Sequence, residues 1–192
     1  MLTLTEIRTT IESTEISDEQ FLNLHIVIES YLKRLLLIGL RNKNVQYKTA
    51  TKCVNKFYVQ PSEMMKLIWK LLNISSKELE NDKTYTPINN AHLNFTSVYR
   101  NKRLHGVISE IEDKDLLILL IKLDKAYIQL LENCCKRIKN ASCFDPPKKW
   151  GITKRGTINN VDEVMLSILN KRNNSKQMTR DDAEKLVKKL KL

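Results

Sequence analysis

Glycine and proline are scarce in this chain, with four of each in 192 residues. A β-sandwich or barrel needs many of both for its tight turns, so their shortage favours helices joined by short loops. Cysteine is equally sparse. Cys53, Cys134, Cys135 and Cys143 form no C-x-x-C pair, and the adjacency of Cys134 and Cys135 suits neither a zinc clamp nor an ordinary structural disulfide. No apolar stretch follows Met1, and the longest apolar run, Leu116 to Ile121, is six residues. A bilayer-spanning helix needs roughly 20. The expectation is therefore a reduced, cytoplasmic protein with no secretion signal and no membrane contact. Glycine-rich phosphate loops, zinc signatures and calcium loops are all missing, so no cofactor and no metal are expected.

Hydrophobic residues (42%) and charged residues (29%) stand in the proportions of a globular protein with a real core. The net charge of +11 is unevenly spread. Residues 1–135 carry 18 basic and 16 acidic side chains, whereas residues 136–192 carry 15 basic and 6 acidic. An excess concentrated at one end points to an acidic partner, most often nucleic acid and less often a membrane surface, with a solubilising tail as the plain alternative. The segment Phe144-Asp145-Pro146-Pro147-Lys148-Lys149-Trp150-Gly151 reads as a helix stop and a boundary. It divides the chain into a helical region, residues 1–143, and a basic helical extension, residues 144–192. Removing residues 145–192 is expected to lower RNA affinity and flatten its salt dependence.

Four helices carry the first region. Phe21, Leu24, Ile28, Tyr31, Leu35 and Ile38 form one apolar stripe over about Asp18 to Leu40, with Ser17 or Asp18 as cap and Gly39 near the end. His25 lies at the edge of that stripe and reads as half buried. Arg41 to Gln60 is a polar connection with a short helix or extended piece around Val54 to Val59. Pro61 opens a second helix, where its missing N–H costs little. Asn81 to Asn90, with Pro87, reads as a loop that ends in a cap, and His92 as a cap-region residue of a third helix starting near Asn90. The fourth is the clearest: Leu116, Leu120, Leu123, Tyr127, Leu130 and Cys134 repeat at helical spacing beside a second stripe of Leu117, Ile121, Ile128 and Leu131. So wide an apolar face suits the centre of a bundle, or a core and a dimer seam together. Val161 to Leu169 reads as a short helix, and Thr179-Arg180-Asp181-Asp182 as the capped start of a terminal one.

The third helix carries Tyr99-Arg100-Asn101-Lys102-Arg103-Leu104-His105-Gly106. Asn101 and His105 are four residues apart and lie about 40° from each other around a helix axis. Arg100 is rotated by about 100°, yet its long side chain can reach round. A guanidinium can fork onto two phosphoryl oxygens. An imidazole can take the proton of a ribose 2′-hydroxyl or give one to a leaving 5′-oxygen. An amide can hold the histidine tautomer or the substrate. RNA supplies its own nucleophile, so positioning, proton transfer and charge stabilisation suffice without a metal. Lys102 and Arg103 adjoin the motif and can track the RNA backbone, and Lys148 and Lys149 beside Trp150 form a second candidate RNA contact.

These residues resemble the signature of the HEPN superfamily (higher eukaryotes and prokaryotes nucleotide-binding): an arginine, a polar residue, and a histidine four to six places on. The stretch His25-Ile26-Val27-Ile28-Glu29-Ser30-Tyr31-Leu32-Lys33 is similar to the family's opening helix. The resemblance covers about Asp18 to Lys139. It implies an all-α, up-and-down bundle of four or five helices, here followed by the basic extension. It also implies a homodimer with a composite active site, and a metal-independent endoribonuclease with Arg100, Asn101 and His105 as its catalytic set. The expected products are a 2′,3′-cyclic phosphate and a 5′-hydroxyl. Family members act as toxins with cognate antitoxins or in anti-phage defence, and some are non-catalytic RNA-binding scaffolds, which is the alternative reading here. Val107 stands where one toxin subfamily has a tyrosine two places after the histidine.

Overall fold

The computed structural model describes residues 2–56, 61–71, 75, 83–139, 142–145, 156–159 and 177–192. Lys148, Lys149, Trp150 and the segment Val161 to Leu169 lie outside the described residues. The described chain is all-α: its elements are helices, and the one β contact is an isolated bridge between Val45 and Ile158. In chain order the elements are α1 (Leu4–Glu12), α2 (Asp18–Asn42), α3 (Tyr47–Lys56), α4 (Pro61–Leu71), α5 (Tyr85–Ala91), a π-helical turn (His92–Thr96), α6 (Ser97–Leu104), α7 (Lys114–Lys139) and α8 (Arg180–Leu190). None of these helices is long and apolar enough to cross a membrane.

The chain folds as two compact units built from non-contiguous segments. The first comprises residues 1–30, 80–130 and 174–192, and the second residues 31–79 and 131–173. Helices α2 and α7 therefore contribute to both. Their stripes behave as their spacing dictates. Phe21, Leu24 and Ile28 of α2 are buried, as are Leu116, Leu117, Leu120, Ile121, Leu123 and Tyr127 of α7. Over the described residues both stripes of α7 are buried within the chain.

Local chemistry sets the helix ends. Ser17 Oγ accepts from the Gln20 N–H (3.1 Å) at the start of α2. Helix α1, which too few apolar residues mark in the sequence, is held by a reciprocal capping box between Thr3 and Glu6. In the second unit α2 continues past Gly39 to Asn42. A Cβ on Gly39 would lie 2.7 Å from the Leu71 Cβ, so this glycine permits close approach of α4 and does not end the helix.

The helix bearing the motif starts earlier than the sequence suggests, at Tyr85. Pro87 falls in its first turn, where no N–H is needed, so a residue that reads as a loop marker is a helix starter. Helix α8 begins at the Thr179 cap, whose hydroxyl accepts from the Asp182 N–H (3.2 Å). Its Arg180 pairs with Asp113 (2.6 Å) in the same unit, and Lys122 Nζ donates to the Leu192 carbonyl (3.0 Å). Truncation at residue 145 would therefore remove a helix that packs in the first unit, besides the basic segment before it.

Candidate functional site

Helix α6 ends in a Schellman motif. Val107 N–H donates to the Lys102 carbonyl (2.8 Å) and Gly106 N–H to the Arg103 carbonyl (3.2 Å). This reversal needs a left-handed residue after the cap, and Gly106 supplies it with φ of 67°. His105 is consequently the C-cap, with its own N–H still on the Asn101 carbonyl at 2.9 Å. The helical bond keeps Asn101 and His105 on one side, a turn apart. Both are exposed.

Arg100 does reach round. Its Nη1 donates to Asn101 Oδ1 at 3.1 Å, which brings guanidinium and amide together at the surface. The His105 side chain is exposed, and among the described residues its ring has no hydrogen-bond partner. The geometry separates the two neighbouring cations. Lys102 is exposed, with Nζ 5.3 Å from the Tyr99 ring. Arg103 instead turns inward: its Nε donates to Asp18 Oδ2 at 2.7 Å, tying α6 to the first turn of α2. A buried carboxylate at the N-terminus of α2 holds Arg103 more strongly than solvent does, which argues against an RNA-tracking role for it.

Beside the motif a cleft of about 470 Å³ opens between α6 and the segment leading into α8. Phe95, Val98, Tyr99 and Lys102 line one side, and Met178, Thr179 and Arg180 the other. The Met178 N–H donates to the Asn94 carbonyl (3.2 Å), which fixes that second wall.

At the turn that leads into α6 lies a cluster that sequence reasoning missed. His25 and His92 are both buried, not at an edge or in a cap, and they flank the fully buried Asp124 of α7. His92 Nδ1 stands 2.9 Å from Asp124 Oδ1, and Thr96 donates its hydroxyl to the same oxygen at 2.7 Å. His25 Nε2 lies 3.0 Å from Asp124 Oδ2, an ion-pair distance, but the two are not aligned as a hydrogen bond. Burial alone would raise the Asp124 carboxyl; His25 and His92 outweigh it and hold the group well below the usual carboxylate range. Burial pushes His92 the opposite way to Asp124's pull and lowers it, leaving a neutral ring at pH 7. The sequence does contain a signal for this cluster. Asp124 sits among Leu120, Leu123 and Tyr127, and a carboxylate on the buried side of a helix requires a partner.

None of the four cysteines is in a disulfide. Cys143 is buried in the second unit, and burial first, then its neighbour Cys135, pushes its thiol up, which keeps it protonated at neutral pH. No family model, no curated protein and no solved structure matches this chain.

Proposed function

We propose that the chain is an endoribonuclease of the HEPN type, an up-and-down helical bundle that cuts single-stranded or loop RNA without a catalytic metal. One observation carries the reading: the motif is open to solvent, with His105 on the C-cap, Asn101 one turn before it and Arg100 bent round to the Asn101 amide. A purely structural motif would have enclosed its histidine and paired its first arginine with a buried carboxylate. Arg103 has that task instead.

In this reading the Arg100 guanidinium donates to the non-bridging phosphate oxygens, and His105 accepts the 2′-hydroxyl proton. The 2′-oxygen attacks phosphorus in line, the bond from phosphorus to the 5′-oxygen breaks, and that oxygen takes up a proton. The products are a 2′,3′-cyclic phosphate and a 5′-hydroxyl. Flexible RNA is the substrate because in-line attack requires a backbone that A-form pairing denies. The cleft at Tyr99 is the position for a base next to the scissile phosphate, stacked on an aromatic ring beside Lys102.

Each chain has one His105, whereas the reaction uses a base and an acid. A second copy supplies the other imidazole, which makes the working form a homodimer. Leu104 and Val107, 55% and 68% exposed, flank His105 and are the apolar residues a second copy would cover. A toxin or defence role, with a cognate antitoxin or defence-system partner, belongs to the same proposal and rests on the family resemblance.

The test is cleavage of a single-stranded RNA by the purified protein, with the cut ends identified. His105→Ala is expected to lower the rate by about 10²–10⁴-fold while RNA binding survives, and a 2′-deoxy substitution at the cut nucleotide should abolish cleavage. Full activity of the His105→Ala protein would overturn the proposal. A wild-type protein that binds RNA and leaves it intact would establish the scaffold reading.

A further inference from the structure

We propose that His25, His92 and Asp124 form a buried site for one divalent metal ion of the zinc class. Three elements of the first unit converge there: α2, the π-helical turn and α7. The ligand atoms all lie within 4.8 Å of one another. Around a tetrahedral ion with bonds of about 2.0–2.2 Å, ligand atoms stand about 3.4 Å apart. The observed separations, from 2.9 Å upward, bracket that value, so small side-chain adjustments suffice.

The donor set selects the metal. Two imidazole nitrogens and one carboxylate suit Zn²⁺ and its analogues Co²⁺ and Ni²⁺, while Mg²⁺ and Ca²⁺ require mostly oxygen ligands. Three protein ligands leave a fourth position for water or for the second carboxylate oxygen.

The geometry of two of these ligand atoms fits an ion. His25 Nε2 and Asp124 Oδ2 are both buried and only 3.0 Å apart, yet no aligned hydrogen bond joins them, and neither has another among the described residues. The pair is an ion contact that falls short of hydrogen-bond geometry in a buried place, where such geometry is the rule. A cation held by both answers it.

The surroundings hold the ligands in the orientation that a metal demands. Phe21 packs edge-on against the His25 ring (4.9 Å, 90°), and Tyr127 stacks on His92 (4.0 Å, 8°). Thr96 donates to Asp124 Oδ1 at 2.7 Å. Ser97 Oγ lies 3.4 Å from His92 Nε2, on the far side of the ring from the carboxylate. With Nδ1 on the metal, Nε2 carries the proton and donates it toward Ser97, the outer partner that metal-bound histidines use. The π-helical turn buries His92 and Thr96 together, and such turns recur at functional sites.

The ion's role is to pin the turn that leads into α6, and the inference stands apart from the ribonuclease reading. Full-length protein made without a histidine tag is stripped of metal and titrated with Zn²⁺ or Co²⁺, following metal content, visible absorption and melting temperature. The expected results are one equivalent per chain, the d–d bands of four-coordinate Co²⁺ and a higher melting temperature. Asp124→Asn and His92→Gln should lose stoichiometric uptake. Thr96→Val keeps the side-chain shape and removes the hydroxyl that touches Asp124 Oδ1, His92 Nδ1 and the His92 carbonyl, so it should fold and bind about 10–100-fold more weakly. His105→Ala should take up metal like the wild type, which separates this proposal from the cleavage proposal. Failure of the wild-type protein to bind either ion, or wild-type affinity in both His92→Gln and Thr96→Val, would overturn it. In those cases the cluster is a metal-free hydrogen-bonded group.

Discussion

At the scale of single residues, two neighbours in the motif do unlike work. Arg103 neutralises the buried Asp18, whereas Lys102 extends into solvent. Arg103→Ala leaves a buried carboxylate without its donor and should cost about 1–3 kcal/mol of stability. Lys102→Ala should leave the melting temperature unchanged and weaken RNA binding, with a shallower salt dependence. Thermal melts and filter binding at two salt concentrations distinguish them. Gly106 carries a different load. Its left-handed φ closes the cap that presents His105, and a Cβ there would meet nothing within 4 Å, so any cost is in the backbone alone. Gly106→Ala should lose about 1–2 kcal/mol and reduce cleavage further as the cap shifts. Gly106→Asn, which tolerates the left-handed region, should recover part of both.

At the scale of elements, Asp113 joins two helices. Its Oδ1 accepts from the Leu116 N–H (3.0 Å) and caps α7, while its Oδ2 pairs with Arg180 at the start of α8. The Arg180 hydrogen bond first, then that of Leu116, holds the Asp113 carboxyl below its ordinary value. A carboxyl depressed in this way stabilises the folded state above the unfolded-state value, about 3.9, and the contribution is lost as pH falls through the folded value. Amide-exchange protection of α8 should thus be the same at pH 7 and pH 5 once intrinsic rates are corrected, and drop below about pH 4. Asp113→Asn should lower that protection already at pH 7; equal protection in the variant would assign the docking of α8 to its buried Ala183 and Leu186 alone. The long stripes of α2 and α7 were legible because burial of a stripe at helical spacing is a local property of the chain. The start of the motif helix was not, since a proline followed by paired asparagines has the same composition in a loop as in a first turn.

At the scale of the whole molecule, the proposed cleavage requires two copies of the chain to act together. The described stripes of α7 are buried within one chain, so the proposed dimer would use another surface, and Leu104 and Val107 beside His105 are exposed apolar residues suited to it. Leu104→Glu should shift sedimentation toward the monomer and abolish cleavage in parallel, leaving the melting profile of the chain nearly unchanged. A variant that remains dimeric and active would exclude this surface. The uneven charge acts at the same scale. Helix α8 carries little of the basic excess in residues 136–192, since Arg180, Lys185, Lys188 and Lys189 are set against Asp181, Asp182 and Glu184; Asp181 and Asp182 in its first turn and Lys188 and Lys189 in its last complement the helix dipole.

The sequence by itself determined the helical class, the two long stripes, the cap at Thr179 and the one-turn relation of Asn101 to His105. Each follows from periodicity or from side chains bonding to backbone a few residues away. Only the tertiary structure decided that Arg103 belongs to Asp18, that residues 174–192 join the first unit, and that His25, His92 and Asp124 meet. Those outcomes depend on contacts across 32 to 99 positions in the chain, where no local spacing constrains which polar group a buried carboxylate will find.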